Sequence, residues 1–569
     1  MAPIKYYPSQ IGSKLVTPLS FTASPIKLLL GDLWTAFVNL RYAPDIFLPL
    51  SPTTSGSLCE LYPSPRNLAD IALHVVLFFL QLFFLLSIPI WILMPVWIVA
   101  VGFTMFWVLN LSICFILNGS RLVSTYESAP EYAQRKDEHA HEQWLFLNGV
   151  CIGRHWLKSS VNRLALTFGR PVLGIHNRTN GLIFDVLECL IQRSLNYAST
   201  DIRTAYRILK GKLYDTNINR IILVLHSQGG IEGSMIIDWL LAEIPQDLLQ
   251  KLEVYTFGNA ANHFNNPHLH LASQKSALAH PSLPATSLTR TITTLFTSSN
   301  GPVELPPNRN GNGKSIPHIE HYAHTYDFVS RFGVLNYQRN YSNDTFAPRY
   351  MGRLFEVEDS GHMFVEHYLD RMFPLSRSLR KRLPGTGIKS DGKGLAGGWD
   401  WERVDEDSGF MGSVVQGVGR VKPEDKLGRE DWEVSYVGES TGDEEEEDDG
   451  DVLQGDGKNG KASGKTSEAG KKKGTLGGAT FKEEGITLTN GLTDGESRRV
   501  RAFRSKNEFK VKNLKIILMQ CLVIHLERAS FGLGGIRVVF ISGGTMFHFD
   551  VLVYQIITSV SRGDQTFLS

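Results

Sequence analysis

Short apolar runs alternate with amphipathic stretches between about residues 140 and 375. This alternation is typical of a parallel sheet whose strands are connected by helices. The predicted strands are Trp144–Leu147, Val172–Ile175, Ile221–Leu225, Glu253–Phe257, Ile319–His324 and Met351–Val357. The predicted helices are 155–167, 183–210, 231–243 and 363–372. The pattern therefore predicts an α/β domain in which helices flank a mostly parallel sheet.

A different pattern precedes this domain: residues 71–117 contain no Asp, Glu, Lys or Arg and are dense in Leu, Ile, Val, Phe and Trp. A single membrane span needs about 20 apolar residues. The length therefore predicts a transmembrane hairpin of two helices, 71–89 and 95–117. The segment begins about seventy residues into the chain, which is unlike the position of a cleaved signal peptide.

A hairpin leaves both of its flanks on the same side of the membrane. The flanks are basic, and the tendency of positive charge to stay inside places the main domain in the cytosol, on an intracellular membrane. The basic residues are Lys27, Arg41, Arg66, Arg121, Arg135 and Lys136.

The remaining segments have no such periodicity. Residues 1–70 form a mixed segment with several Pro-Ser turns, and 262–312 form a Pro-, Asn- and Ser-rich insertion with a candidate strand at Thr291–Phe296. We expect this insertion to lie over the face of the sheet as a lid.

The composition changes again after residue 375. Residues 385–512 are rich in Gly, Asp, Glu and Lys, which predicts a disordered segment, with protein partners of the acidic stretch as the alternative to a solvated insert. Residues 514–569 turn apolar but fit neither a membrane span nor the sheet, and we interpret them as an appendage of uncertain status.

Overall composition adds two exclusions. The net charge of +1 gives no reason to expect a nucleic-acid partner. The five cysteines are scattered without paired or metal-like spacing, which excludes a disulfide framework and suits a reducing compartment.

The most informative motif follows the strand Ile221–Leu225, where His226-Ser227-Gln228-Gly229-Gly230 breaks the apolar run before helical spacing resumes. A strand, a tight turn with a central Ser and a helix form the geometry of a nucleophile elbow, which exposes the hydroxyl above the sheet. Leu225 stands where this motif usually has Gly, so its side chain must point away from the turn or crowd it.

A nucleophilic Ser227 needs a base and an acid, and in this arrangement they follow it in the order Ser, Asp, His. Asp327 comes just after the strand that ends at His324, and His362 comes just after the strand that ends at Val357. Both therefore fall at the carboxyl edge of the predicted sheet, beside Ser227.

Each partner has competitors nearby in the sequence. His324 lies within a predicted strand, and His367 lies within the following predicted helix. Asp359 is on the same loop as His362 and is poorly placed to support it from behind. The competitors of His362 as the base are His321, His324 and His367, and the competitor of Asp327 as the acid is Asp359.

An oxyanion hole needs backbone N–H groups. We expect one from Gln228 and one from Val150, in the loop Asn148-Gly149-Val150-Cys151 after the first predicted strand. Glycine in that loop lets the backbone approach a tetrahedral intermediate closely.

The spacing His318-x-x-His321-x-x-His324 could bring three imidazoles together on a helix, as a metal site requires. Residues three apart on a strand point to opposite faces, so these imidazoles would not converge on one ion. We expect neither a metal nor a cofactor.

Four segments together carry a resemblance: LFLNGVCIGRHW, VLHSQGGIEGSMIIDWLL, VYTFGNAANHF and SGHMFVEHYLD. They resemble fungal membrane-associated proteins of the α/β-hydrolase superfamily and, more distantly, lipase-like serine esterases. The likeness covers about residues 140–375. It implies an α/β-hydrolase-type sheet and a triad of Ser227, Asp327 and His362, and it implies no substrate.

Two hypotheses follow. The first is a membrane-anchored serine hydrolase that cleaves an ester. A lipid ester is favoured, because a tether in the bilayer gives a high effective concentration there. The second is a non-catalytic hydrolase-fold scaffold that recruits partners through its acidic segment. A channel or transporter is disfavoured, because the two predicted spans contain no ionisable path.

Overall fold

The computed structural model describes residues 4–10, 24–50, 54–279, 313–339, 350–380, 383, 410, 415–417, 536–542 and 545–551. The chain divides into two units, Met1–Asp443 and Glu444–Ser569. The candidate strand Thr291–Phe296 lies outside the described residues, as do most of the 262–312 insertion, most of 385–512 and most of 514–569.

The first unit is built on a nine-stranded sheet with the order β2-β4-β3-β5-β6-β7-β8-β1-β9. Its strands are β1 Ile4–Tyr7, β2 Thr125–Glu127, β3 Glu142–Leu147, β4 Val172–Ile175, β5 Arg220–His226, β6 Leu252–Phe257, β7 His318–His324, β8 Arg353–Val357 and β9 Val415–Gly417. The six central strands, in the order β4-β3-β5-β6-β7-β8, pair in parallel. The strands β2 and β1 join antiparallel at either side.

This mixed α/β sheet confirms the predicted fold class at that level, and each of the six predicted strands overlaps a strand of the structure. The helices are α1 Pro25–Asn39, α2 Pro65–Trp91, α3 Val96–Asn118, α4 Arg154–Phe168, α5 Leu182–Leu195, α6 Thr200–Tyr214, α7 Gln228–Glu243, α8 Gln246–Leu249 and α9 Leu271–Ala279. Shorter helices are Phe328–Phe332, Asp370–Met372 and Arg377–Arg380, with 3₁₀ segments at Leu40–Ile46, Gly56–Leu58 and Asp137–His139 and π turns at Leu335–Arg339 and Phe364–Leu369.

Two predicted helices differ from the structure. The prediction over 183–210 is wrong as one helix: α5 ends at Leu195, the next residue Asn196 adopts a left-handed conformation with φ 50°, and α6 starts at Thr200. The predicted helix 363–372 is a π turn followed by one short α turn.

The hydrophobic core lies on both faces of the sheet. Alternate residues of β5 point to opposite sides, so Leu223 and Leu225 pack with α6 and α7, whereas Ile222 and Val224 pack with α4 and the Phe364–Leu369 turn. Because both faces are covered, β5 is apolar along nearly its whole length, which is why its sequence predicted a buried strand.

The helices α2 and α3 form a hairpin, and each is long and apolar enough to cross a membrane. The hairpin begins at a defined cap: Pro65 occupies the first turn, and the Ser64 side chain accepts a hydrogen bond from the Asn67 N–H at 3.1 Å.

The second unit contributes one described element, a two-stranded antiparallel sheet of β10 Ile536–Ser542 and β11 Thr545–Val551. Both strands fall within the segment 514–569 that was interpreted as an appendage.

Candidate active site

Ser227 occupies the turn between the end of β5 and the start of α7, with φ 57° and ψ −120°. A positive φ is strained for a residue with a side chain, and it persists only where surrounding contacts hold it. Here the Ser227 N–H donates to the Phe257 carbonyl at 3.1 Å, and the Ser227 carbonyl accepts from Ala260 N–H at 3.2 Å. The serine is therefore held in the strained geometry of a nucleophile elbow.

Leu225 does not crowd this turn. Its side chain is fully buried and lies over Gly233 of α7, where an added Cβ would meet the Leu225 Cδ1 at 2.3 Å. The glycine that is missing two residues before Ser227 is thus matched by a glycine six residues after it. The leucine fills space in the core between β5 and α7.

Asp327 and His362 are brought together at the carboxyl edge of the sheet, as their positions after β7 and β8 predict. The Nδ1 of His362 donates to the Asp327 Oδ2 at 2.9 Å, and both side chains are buried. The other ring nitrogen, Nε2, is buried and has no hydrogen-bond partner among the described residues. This nitrogen is therefore available as a hydrogen-bond acceptor.

Three further donors surround the Asp327 carboxylate. Tyr368 donates through its hydroxyl at 2.7 Å, Ser330 through its hydroxyl at 2.7 Å and Val329 through its backbone N–H at 2.9 Å. Burial alone would raise the pKa of Asp327, but the electrostatic interaction and hydrogen bond with His362, together with the two hydroxyl donors, hold that pKa below its ordinary value. Asp327 is therefore an ionised acceptor at neutral pH.

Gly258 lies directly against the His362 and Asp327 side chains. Its φ is 56°, and an added Cβ would lie 2.8 Å from the His362 Cε1 and 3.1 Å from the Asp327 Oδ2. Only a residue without a side chain fits there.

His226, which directly precedes Ser227, packs against His362. Its Nε2 donates to the His362 carbonyl at 2.9 Å, and the two imidazole rings stack with centroids 4.8 Å apart. Burial, reinforced by the charge of His362, lowers the pKa of His226 to about 3. His226 is therefore neutral and anchors the backbone of the His362 loop.

The competing histidines have other partners. His321 contacts Thr256 Oγ1 through Nδ1 at 2.7 Å and the Met351 carbonyl through Nε2 at 3.0 Å. The Nδ1 of His324 bonds to the Gly361 carbonyl at 3.0 Å, and its ring stacks on Tyr368. The Nδ1 of His367 accepts from the Met363 N–H at 2.9 Å. All three are structural contacts around the site.

The competing acid, Asp359, pairs with Arg371. Its backbone carbonyl also accepts a hydrogen bond from the Tyr326 N–H at 3.0 Å, beside Asp327. Its carboxylate thus has a partner other than His362.

The three histidines of β7 do not converge. His321 packs with Phe264 and Tyr350 on one face of the sheet, whereas His324 packs with Tyr368 on the other. Among the described residues, the side chains of Cys59, Glu366 and Asp370 do bring metal-type ligand atoms within 4.8 Å of one another. The Asp370 carboxylate is already paired with buried Arg163 at 3.0 Å, so a cation would have to displace a guanidinium.

The expected oxyanion loop lies against the serine. A Cβ added at Gly149 would be 2.5 Å from the Ser227 Cβ, so this close approach requires glycine. Gln228 is the first residue of α7, where the helix itself provides no acceptor for the backbone N–H. The described contacts place Gly149, rather than Val150, directly against the Ser227 side chain.

Side-chain amides hold this loop in place. The Asn148 side-chain oxygen, Oδ1, accepts from the Asn177 backbone N–H at 2.9 Å, and the Asn148 Nδ2 donates to the Asn177 backbone carbonyl at 2.8 Å. The Asn177 amide in turn donates to the Gln228 Oε1 at 2.8 Å. Further along the loop, Cys151 N–H donates to Asp185 Oδ2 at 3.0 Å.

Sequence reasoning did not identify Tyr368, Ser330, Gly258, His226 or Asn177 as parts of the site. The available signal was limited to Asn177, which follows the end of β4 at the same sheet edge as the other site loops.

No protein-family model and no curated protein matches the chain. Among solved structures, it is similar to a lipase-esterase related protein from Clostridium acetobutylicum at 11% sequence identity, with a TM-score of 0.21 over 43% of this chain and 93% of that one. It is also similar to an esterase from the bacterial hormone-sensitive lipase family at 14% identity, with a TM-score of 0.21 over 45% of this chain and 80% of that one. These neighbours are lipase and esterase structures. The proposal that follows rests on the geometry of the site.

Proposed function

We propose that this protein is a serine ester hydrolase. The observation that carries the proposal is the strained Ser227 beside a buried His362–Asp327 pair whose Nε2 has no partner among the described residues. Other buried histidines, such as His176, His226 and His324, also have one nitrogen without a partner among the described residues, but their second nitrogen bonds to a backbone carbonyl. In His362 the second nitrogen bonds to a buried carboxylate, which is the arrangement that suits a proton acceptor beside a nucleophile.

The reaction would run in two halves. The Ser227 Oγ attacks the acyl carbon while the His362 Nε2 takes its proton, and Asp327 holds the imidazolium through Nδ1. The oxyanion is stabilised by backbone N–H groups at Gln228 and in the loop from Gly149 to Val150. His362 then gives its proton to the leaving alkoxide, and a water molecule, activated by the same base, releases the acid from the acyl-serine.

We propose further that the substrate is a lipid ester. The support is the apolar hairpin α2–α3, which passes the length and composition test for membrane spans. Anchoring at an intracellular membrane, with the catalytic domain in the cytosol, would concentrate the enzyme next to such a substrate.

Fluorophosphonate labelling tests the catalytic proposal. We expect wild-type protein in membrane fractions to label, and Ser227→Ala and His362→Ala to lose the signal. Ser234→Ala is the matched control, because Ser234 is a buried serine of α7 whose hydroxyl donates to the Ile231 carbonyl at 2.8 Å. If folded wild-type protein does not label, the proposal fails and the non-catalytic scaffold takes its place.

A further inference from the structure

The buried residues of the apolar hairpin all lie at its base, which also exposes large apolar side chains, among them Val75, Phe79, Val108 and Phe115. The buried residues lie before residue 82, ending with Gln81, or after residue 105, starting with Phe106. In the fully described stretch from 82 to 105, no residue is buried, and Leu93 at the tip is 84% exposed. The two halves of the hairpin therefore have different environments.

The buried half is docked on the α/β domain by polar contacts. The Gln81 amide donates to the Asn110 Oδ1 at 2.9 Å and also to the Asn180 carbonyl. At the end of α3, the Asn118 amide donates to the Thr179 carbonyl at 2.7 Å, and its oxygen accepts from the Thr179 N–H at 3.1 Å. The half that makes these contacts cannot lie in hydrocarbon while it is held against the domain.

The free half has a length that decides how far it can reach. After Gln81, α2 continues for ten residues, 82–91, and α3 contributes ten more, 96–105, before Phe106. At 1.5 Å per residue, each arm is about 15 Å long. The hydrocarbon core of a bilayer is about 30 Å thick. The free tip can therefore reach the middle of a bilayer and no further.

A second apolar surface borders the base of the hairpin. Helix α1 exposes a stripe at spacings of three and four residues, formed by Ile26, Leu30, Leu33, Trp34, Phe37 and Val38. The acid of α1, Asp32, is buried against Arg193 at 2.7 Å, so its exposed charge is that of Lys27. An apolar stripe with basic charge suits a helix lying in a membrane interface.

Helix α5 joins the two surfaces, because it packs against both α1 and α2. Phe184 of α5 stacks on Trp107 of α3 with ring centroids 6.0 Å apart, while Val186 and Leu187 are exposed beside it. Helix α5 therefore lies between the stripe of α1 and the apolar hairpin.

We propose that this surface seats the protein in one leaflet of a phospholipid bilayer: the tip 82–105 enters the hydrocarbon without crossing it, and the stripe of α1 lies in the interface. The inference deepens the proposed function, on which its substrate clause rests. The segment after α1 contacts the catalytic loops, since the Ile46 carbonyl accepts from the His362 N–H at 3.2 Å and Tyr42 stacks on Tyr326. The substrate is then a lipid ester taken from the leaflet in which α1 lies.

Cysteine labelling of the full chain in phosphatidylcholine nanodiscs tests the seat, because both bilayer faces are accessible there. We expect Leu93→Cys to label with a membrane-impermeant maleimide no more than the parent chain does, until detergent is added. Tyr214→Cys, at an exposed position at the end of α6, should label at once. A fluorophore at position 93 should be quenched most by lipids with a spin label deep in the acyl chain. Rapid labelling of Leu93→Cys in nanodiscs would overturn the proposal in favour of a spanning hairpin.

The role of α1 is tested by the double variant Trp34→Glu/Phe37→Glu. We expect at least tenfold slower hydrolysis of a bilayer-embedded ester and unchanged hydrolysis of a soluble short-chain ester. Leu271→Glu, at an equally exposed position of α9, should change neither rate. Equal rates of the double variant and wild type on the bilayer would overturn the role of α1. The number of chains per nanodisc is a second test. Two chains for wild type and one for the double variant would also overturn the role of α1, because a second copy of the chain would then cover the stripe.

The two proposals fail separately. If wild type hydrolyses neither ester while Leu93→Cys stays protected, the hydrolase proposal fails and the leaflet seat stands. If wild type hydrolyses the soluble ester while Leu93→Cys labels freely, the reverse holds.

Discussion

Leu225 and Gly233 are complementary in size. Because Gly233 has no side chain, the Leu225 side chain fits between β5 and α7 and does not crowd the turn at Ser227. A side chain at position 233 would collide with the Leu225 Cδ1. We expect Gly233→Ala to lower the free energy of unfolding by about 1–3 kcal/mol, the cost of overpacking a core. In a Leu225→Ala background, the same change should cost at least about 1 kcal/mol less, because the two sites are in contact. Denaturant unfolding of the four proteins in the cycle measures this coupling.

The control for this cycle is Gly211→Ala in α6, where an added Cβ would meet nothing within 4 Å. It should stabilise the protein by about 0.5–1 kcal/mol, because alanine is the better helix former. A coupling near zero between positions 225 and 233 would contradict the size argument.

The donors around Asp327 give a second prediction. Asp327→Asn should lower kcat/KM by about 10³-fold or more, because the amide cannot hold the imidazolium. Tyr368→Phe should lower it by about 10- to 100-fold, because a hydrogen bond to a charged group contributes about 1.5–3 kcal/mol. Hydrolysis of a soluble ester measures both.

Tyr322→Phe provides the matched loss of a buried hydroxyl, since Tyr322 donates to Glu320 at 2.6 Å. If its loss of activity equalled that of Tyr368→Phe, the role of Tyr368 would be structural and unrelated to Asp327.

The sequence allowed Ser227, Asp327 and His362 to be selected because each follows a strand, and strand ends meet at one sheet edge. Tyr368 and Gly258 could not be selected in this way. Tyr368 lies in a π turn, and its hydroxyl reaches Asp327 only through the packing of that turn. Gly258 matters because two side chains distant in sequence happen to flank it.

At the scale of elements, strands that are buried on both faces could be predicted because apolar residues fill them without interruption. The short strand β1 could not, since its four residues pair with β8 and β9, which lie more than 300 positions away. Helix α1 was missed for a related reason: its apolar stripe faces outward, so it lacks the polar exterior that marks a surface helix.

The loop from Asn177 to Gly181 links two elements, because it touches the hairpin on one side and the active site on the other. Asn118 of α3 bonds to Thr179, while Asn177 bonds to Asn148 and Gln228. We expect Asn118→Ala to lower kcat on a soluble ester by about 3- to 10-fold, because misplaced oxyanion donors cost rate. KM should change less than kcat.

The comparison for that prediction is Asn265→Ala, which removes an amide that donates to Asp238 at 2.7 Å. It should leave kcat unchanged. If Asn118→Ala lowers the melting temperature but not kcat, the loop does not transmit the position of the hairpin to the site.

At the scale of the whole molecule, buried titratable groups of opposite kind control how stability varies with pH. Burial lowers the pKa of His321 to about 4, whereas its unfolded value is near 6.5. Between these values only the unfolded chain binds the proton, so falling pH destabilises the fold. Burial raises the pKa of Asp185 to about 6, from about 3.9 unfolded. Between these values only the native state binds the proton, so falling pH stabilises the fold through this group.

Single variants separate these two contributions. By linkage, a group that binds its proton in one state only changes the unfolding constant about tenfold per pH unit. From pH 6 to pH 4.5, the stability of His321→Gln relative to wild type should therefore rise, because the variant lacks a proton-binding site that favours unfolding. The relative stability of Asp185→Asn should fall over the same range, because it lacks a site that favours the native state. Denaturant unfolding at pH 7, 6, 5 and 4.5 measures both differences, and slopes of the same sign would contradict the assignment of either group as buried and shifted.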